Sequence, residues 1–315
     1  MTNLKTIILI VPVYNEEETI NIFLKEVFSF FENNIDNSKY ELKIKFINDG
    51  STDNTLAILK QNFSQNENIE IIDFSRNFGK ENALFAGLAL SDGDIYIPID
   101  VDLQDPLIVI LDMIIKYESG FDVVLAKRID RESDSYFKKL SANYFYKIYN
   151  KLADVGLESN VGDFRLMTKQ VVEELIKLPE NQLFMKGLFS WVGFNTAIVE
   201  YKRDPRIAGK SKFNLFKLLK LAIDGITSFS TIPLKWFLIL GSVIAFSSIC
   251  FGIKIIVEKF IFGISEHGYA SLITAITFIG GIQLVGIGIL GEYIGRIYLE
   301  VKRRPKYIVK NLYSK

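Results

Sequence analysis

The 315-residue sequence contains a single cysteine, Cys250, and a single histidine, His267. One cysteine forms no internal disulfide and no thiolate metal cluster, which fits a reducing compartment. One histidine so late in the chain leaves no Ser-His-Asp or Cys-His mechanism in view and excludes a histidine-rich zinc site. Net charge is missing too: 37 lysines and arginines balance 37 aspartates and glutamates. No global field therefore points to nucleic acid, and charged partners must be sought in local patches. No cleavable signal peptide is visible, because the apolar run Ile7 to Val13 is short and gives way at once to Asn15 and Glu16 through Glu18. That run reads as a first buried strand.

Apolar residues, by contrast, are plentiful: they make up 49% of the chain and its mean hydropathy is positive, which is high for a wholly soluble protein. Trp236 to Val257 carries one charge, Lys254, and Gly268 to Gly291 carries none. A helix of about 22 residues is about 33 Å long, enough for a hydrocarbon core of roughly 30 Å, and soluble helices rarely lack a polar face over so many turns. A transmembrane helical hairpin is expected. Lys210, Lys212, Lys217, Lys220 and Lys235 precede the first span, and Arg296, Lys302, Arg303, Arg304 and Lys306 follow the second. At the connecting end, Lys254 and Lys259 are offset by Glu258 and Glu266. The positive-inside rule then puts both ends in the cytosol, as in a multi-pass protein of the cytoplasmic (inner) membrane with a cytosolic catalytic domain. The expected organisation is a catalytic domain over 1–212, an amphipathic juxtamembrane segment over 213–231, two spans within 232–300 and a basic cytosolic tail over 301–315. Gly286-x-Gly288-x-x-Gly291 matches the dinucleotide-binding spacing, but no strand precedes it. Gly288, Gly291 and Gly295 share one helix face and suit close packing, either between the two spans or between copies in a homo-oligomer.

Along the N-terminal two hundred residues, apolar runs alternate with helical patterns. Strands are expected over Thr6 to Val13, Lys43 to Asn48, Ile69 to Ser75, Asp94 to Asp100 and Asp122 to Lys127. Helices are expected near Glu16 to Phe31, Asp53 to Phe63, Lys80 to Leu90 and Pro106 to Tyr117. This alternation predicts an α/β fold, a mostly parallel sheet with helices on both faces, binding ligands beyond the carboxyl ends of its strands. That rule gathers PVYNEE, NDGSTD and DVDLQD into one crevice. In NDGSTD, Gly50 permits a tight turn and Ser51 or Thr52 can cap the next helix, while Asp49 can accept hydrogen bonds from the N–H edge of a nucleotide base. Asp100 and Asp102 alternate at the tip of an apolar strand, where repulsion and desolvation disfavour them unless a cation lies between. Gln104 adds a neutral oxygen, and such hard ligands suit Mg2+ or Mn2+ with phosphate oxygens completing the shell. Asp105 suits the start of the helix opened by Pro106.

VPVYNEE, DGSTD, SRNFGKENA, DVDLQDP, GDFRLM and R-x-x-G-x-S-K occur in this order ahead of two apolar spans. Together they resemble the glycosyltransferase family 2 enzymes that charge a polyprenyl phosphate with a sugar, of which dolichyl-phosphate mannose synthases and bactoprenol glucosyltransferases are kinds. The resemblance covers nearly the whole chain. It implies a GT-A (Rossmann-like) catalytic domain plus the C-terminal transmembrane hairpin, a nucleotide-sugar donor, a divalent cation, Mg2+ or Mn2+, and inverting transfer to polyprenyl (undecaprenyl) phosphate. UDP-glucose is the favoured donor, with GDP-mannose and UDP-linked amino sugars open. By the same resemblance Pro12, Tyr14, Glu16 and Asp49 line the nucleotide site, Arg76, Gly79 and Lys80 border the donor, and Asp100, Asp102 and Gln104 hold the metal. Asn48 replaces the first of the usual pair of aspartates before the glycine.

A lipid phosphate monoester, with a second pKa of about 6, is already a nucleophilic oxyanion, so the shortage of histidine is no obstacle. It needs cationic positioning, and Lys127, Arg128 and Arg131 in one cluster and Arg206, Lys210 and Lys212 in another can supply it, although solvated basic loops look the same. Asp163 is the second catalytic candidate beside Asp102, as base or as positioner. Arg165 pairs either with phosphate or with Asp163, and a structural Asp-Arg pair opening the next helix is the alternative. Phe137 to Leu152 and Phe213 to Phe229 carry apolar stripes flanked by lysines, as interfacial helices do, although ordinary core packing explains the first stripe equally well. Two rival functions stay open, a transferase with a hydroxyl acceptor, which usually carries Q-x-x-R-W, and a non-catalytic membrane scaffold.

Overall fold

The computed structural model describes residues 4–129, 156, 158–181, 183–202, 232–262 and 268–314. Four short strands form its parallel half: β1 (Lys5–Val13), β2 (Tyr40–Asn48), β3 (Ile69–Phe74) and β4 (Ile95–Pro98), with β1 parallel to both β2 and β4 and β2 parallel to β3. The helices α1 (Ile20–Asn34), α2 (Thr55–Gln65) and α3 (Lys80–Ala89) make the crossovers. Ile7 through Val11 is apolar at every position because β1 is covered on both faces. Alternation along the strand sends Ile7, Leu9 and Val11 into one core with α1, α2 and α4 (Val109–Glu118). Ile8 and Ile10 enter the opposite core with α3, α5 (Lys169–Ile176) and α6 (Met185–Trp191).

Beyond β4 the sheet becomes mixed. β5 (Val123–Arg128) and β6 (Val161–Thr168) pair antiparallel, β6 also lies antiparallel to β4, and β7 (Thr196–Tyr201) runs parallel to β5 at the edge. GDFRLM is therefore the body of a strand, not the start of a helix. Its alternation puts Phe164 and Leu166 in one core and Val161 and Met167 in the other, which leaves Asp163 and Arg165 on the face covered by α3 and α6.

Two long helices follow, α7 (Ile232–Phe262) of 31 residues and α8 (Tyr269–Val301) of 33. Among the described residues, Phe278–Val301 is long and apolar enough to cross a membrane, and Trp236–Phe251 is a shorter apolar stretch. Both helices expose large apolar side chains, among them Trp236, Phe246, Leu272, Phe278 and Leu284. Gly286, not Gly288, Gly291 or Gly295, is the packing glycine: a Cβ there would collide with the ring of Phe237 on α7, whereas the other three face open space.

The last residues form β8 (Val309–Tyr313), antiparallel to β3, where the sequence suggested a basic tail. The eight-stranded order is β7-β5-β6-β4-β1-β2-β3-β8. Tyr307 stacks on Phe74, the Ser75 N–H donates to the Ile308 carbonyl, and the Glu300 carboxylate accepts the Asn181 N–H. The end of α8 is thus tied to the sheet and to the loop at Asn181. Arg131, Arg206, Lys210 and Lys212, with the stripes at 137–152 and 213–229, lie outside the described residues.

Candidate active site

The turns after β1 and β2 are laced together at the carboxyl edge of the sheet. Asn15 sits at φ 55°; its backbone N–H donates to Ser51 Oγ at 3.0 Å, and its side-chain oxygen accepts the Thr52 N–H at 2.8 Å. The Glu16 N–H donates to Thr55 Oγ1, and Glu17 accepts from the Asn54 N–H. Pro12 and Glu16 are partly buried beside the exposed ring of Tyr14. Gly50, at φ 65°, passes so close to the backbone of Arg76 and Asn77 that a Cβ would clash.

Asp49 uses that proximity. It is buried, and its two oxygens accept the N–H groups of Phe78 at 2.6 Å and Gly79 at 2.9 Å. Burial raises its carboxyl above the ordinary range, although the two N–H donors and Arg76 pull it back. Its partners here are backbone groups of SRNFGKE, so Asp49 shapes that loop. Arg76 lies over the Phe78 ring. Asn48 is buried as well, and its Nδ2 donates to Asp73 Oδ1 at 2.8 Å.

At the centre of the crevice, Lys80 opens α3 and its ammonium bridges Asp100 Oδ1 at 2.7 Å and Asp163 Oδ2 at 3.0 Å. Lys80 thus pairs with Asp100, one of the two carboxylates of the acidic strand tip. Lys80 keeps 45% of its side chain open and Asp163 only 18%. Burial works against the lysine's charge, but Asp163 and Asp100 outweigh it and hold the ammonium above its ordinary range. Burial likewise opposes the Asp163 carboxylate, yet Lys80, Lys186 and Arg165 keep it below the ordinary range.

Arg165 is buried with its guanidinium 4.1 Å from the Phe189 ring centroid, and its NH2 donates to the Gly162 carbonyl at 2.7 Å. Burial pulls it down to about 10, with Asp163 opposing. Of the two roles the sequence left open, its position favours support of Asp163. Lys127, half-buried at the end of β5, pairs with Glu158 at 3.5 Å, and Arg128 follows it.

Glu81 escapes a reading of the sequence. In the first turn of a helix it looks like an ordinary complement to the helix dipole. In the structure it accepts the Met185 N–H at 2.7 Å and lies near Asp163; burial first, and then that charge, push it up to about 7 against Met185, Lys186 and Lys80. Only the antiparallel placement of β6 and the packing of α6 create this environment.

The donor set for a divalent ion fits in kind. Asp100 and Asp102 present hard carboxylate oxygens, partly exposed, at the tip of β4. No group of three acidic, histidine or cysteine side chains able to hold a metal occurs among the described residues. A shell built on Asp100 and Asp102 would therefore draw its remaining oxygens from substrate and water. Gln104, the third expected ligand, is buried, with its N–H directed to Asp102 Oδ1 at 3.3 Å. Asp105 accepts the Tyr201 hydroxyl at 2.6 Å, tying the turn to β7.

The model of the family described as glycosyl transferase family 2 matches residues 8–176. A bactoprenol glucosyl transferase of Shigella phage SfV is 52% identical over 303 residues, covering 96% of this chain and 97% of that protein. A prophage bactoprenol glucosyl transferase homolog of Escherichia coli K12 is also 52% identical, covering 96% and 98%. Among solved structures, the glucosyl-3-phosphoglycerate synthase of Mycobacterium tuberculosis, in complex with Mn2+, UDP-glucose and phosphoglyceric acid, is 18% identical, covers 71% of this chain and 78% of that one, and superposes with a TM-score of 0.44.

Proposed function

The chain belongs to glycosyl transferase family 2, and from that premise we propose that it transfers glucose from UDP-glucose to a polyprenyl phosphate at the cytosolic face of a membrane. The observation that carries this reading is 52% identity to bactoprenol glucosyl transferases along essentially the entire length of both chains. The acidic crevice agrees with it chemically. A divalent ion held by Asp100 and Asp102 would offset the charge developing on the departing diphosphate. Lys80, at the start of α3, is placed to meet the same diphosphate. Asp49 keeps the Arg76 to Lys80 loop in shape through Phe78 and Gly79. The lipid phosphate oxygen forms a bond to the anomeric carbon as the bond from that carbon to the nucleoside diphosphate breaks, with inversion. The nucleophile is already an oxyanion, so Asp163, held ionised by its basic neighbours, serves to orient the reactants rather than to remove a proton. Lys127 and Arg128, with Arg131, Arg206, Lys210 and Lys212, are proposed to hold the acceptor phosphate.

The pairing of β8 supports the proposed two-span topology. That strand pairs with β3 although α8 precedes it in the chain. If α8 crosses a bilayer, the chain must cross once more between β7 and β8, and among the described residues α7 is the element available to do so. The exposed apolar side chains of both helices support this multi-pass reading.

Detergent-solubilised enzyme incubated with polyprenyl phosphate, Mg2+ or Mn2+, and a panel of nucleotide sugars is expected to yield an acid-labile glucosyl-phosphate lipid from UDP-glucose. Product from GDP-mannose alone would overturn the donor, and an acid-stable growing glycan would overturn the acceptor.

A further inference from the structure

The Lys80 ammonium lies between two carboxylates, 2.7 Å from Asp100 and 3.0 Å from Asp163. The three side chains come from separate elements, α3, the tip of β4 and β6, so the bridge closes the crevice across the sheet. Asp163 Oδ1 is buried without a hydrogen-bond partner, so Lys80 is its principal neutralising contact on the crevice side. Asp100 belongs at once to this bridge and to the pair of carboxylates at the strand tip. A carboxylate already paired with an ammonium binds a divalent ion less strongly, because its charge is partly neutralised and the two cations beside it repel one another.

We propose that Lys80 is a built-in counter-ion that competes with the divalent ion for Asp100, so that the ion binds well only when a nucleoside diphosphate draws the ammonium away. The inference rests on the reading of Asp100 and Asp102 as metal ligands. With the site empty, Lys80 holds the acidic residues together and keeps their mutual repulsion from opening the crevice. When a diphosphate enters, its oxygens offer the ammonium a second anionic partner, and Asp100 is released to the ion. Metal and nucleotide then assist one another's binding, because each removes a cost the other would have to meet. The enzyme would thus hold its divalent ion only in company with its donor.

The test uses the full-length protein in detergent, with Mn2+ as the metal and UDP as the diphosphate, and reads free Mn2+ by electron paramagnetic resonance. Wild-type protein is expected to bind Mn2+ weakly alone and about tenfold more tightly with saturating UDP. Lys80→Met is expected to bind Mn2+ alone about tenfold more tightly than wild type and to lose most of the gain from UDP. Lys80→Arg, which keeps the charge, should behave like wild type and guards against a folding artefact in Lys80→Met, as does a melting curve for each variant. Equal Mn2+ affinity of wild type and Lys80→Met without UDP overturns the competition while leaving the metal site intact. Absence of Mn2+ binding in every variant, with or without UDP, overturns the metal reading itself and the inference with it.

Discussion

Asn48 shows how one atom of difference sets local chemistry. Its amide donates to Asp73, whose other oxygen accepts from Asn311 on β8 at 3.3 Å. An aspartate at 48 would turn a donor into a second buried carboxylate. Asn48→Asp is expected to cost about 1–3 kcal/mol of stability at neutral pH, with recovery on acidification as the new carboxyl takes up a proton. Thermal melts at pH 5 and pH 7.5 check this. Glu81 makes a second prediction. Its folded-state value, about 7 against an ordinary 4.5, means that the folded protein holds this proton more tightly than the unfolded chain. Its contribution is fully present below about 4.5 and is lost as pH rises toward 7. Glu81→Gln removes that slope, so the mutant should gain on wild type through this window and the gap should level off above it. Parallel melting curves across pH 4.5 to 8 would refute the assignment. The acidic residues of the crevice were legible from their spacing; their partners were not, since Lys80 meets Asp163 only through the fold.

At the level of elements, the parallel half was readable because each strand is an unbroken apolar run followed by a helical pattern. β6 was not, because Asp163 and Arg165 interrupt its apolar alternation and because the repeated βα pattern predicts continued parallel pairing. β8 is short and contains Lys310 and Asn311, and its partner is remote in sequence. Tyr313 nonetheless makes an edge contact with Phe63, and Lys60 lies over its ring. A chain ending at Ile308 exposes the edge of β3 and loses both contacts. Its melting temperature is expected to fall by about 5 °C or more, with increased aggregation, as read by light scattering during thermal unfolding. An unchanged melt would mean that β8 contributes little.

For the whole molecule, the proposed topology makes a testable statement about sidedness, since β8 returns to the sheet after α8. With Cys250 replaced by serine, Ser314→Cys should be shielded from an impermeant maleimide in intact cells, and Ser265→Cys, between the long helices, should be labelled. Labelling of Ser314→Cys would contradict the hairpin. The sequence conveyed the two apolar helices and the cationic flanks. It did not convey the return of the chain into the sheet, nor that Gly286 would be the glycine against Phe237, since neither leaves a local compositional mark.

That return has a consequence for biosynthesis. β8 emerges from the ribosome after α7 and α8, so the outer edge of β3 stays bare while both hydrophobic helices are being made. On the proposed topology, completion of the sheet waits on insertion of these helices, and a nascent chain whose helices fail to insert carries an open β edge that marks it for aggregation or removal.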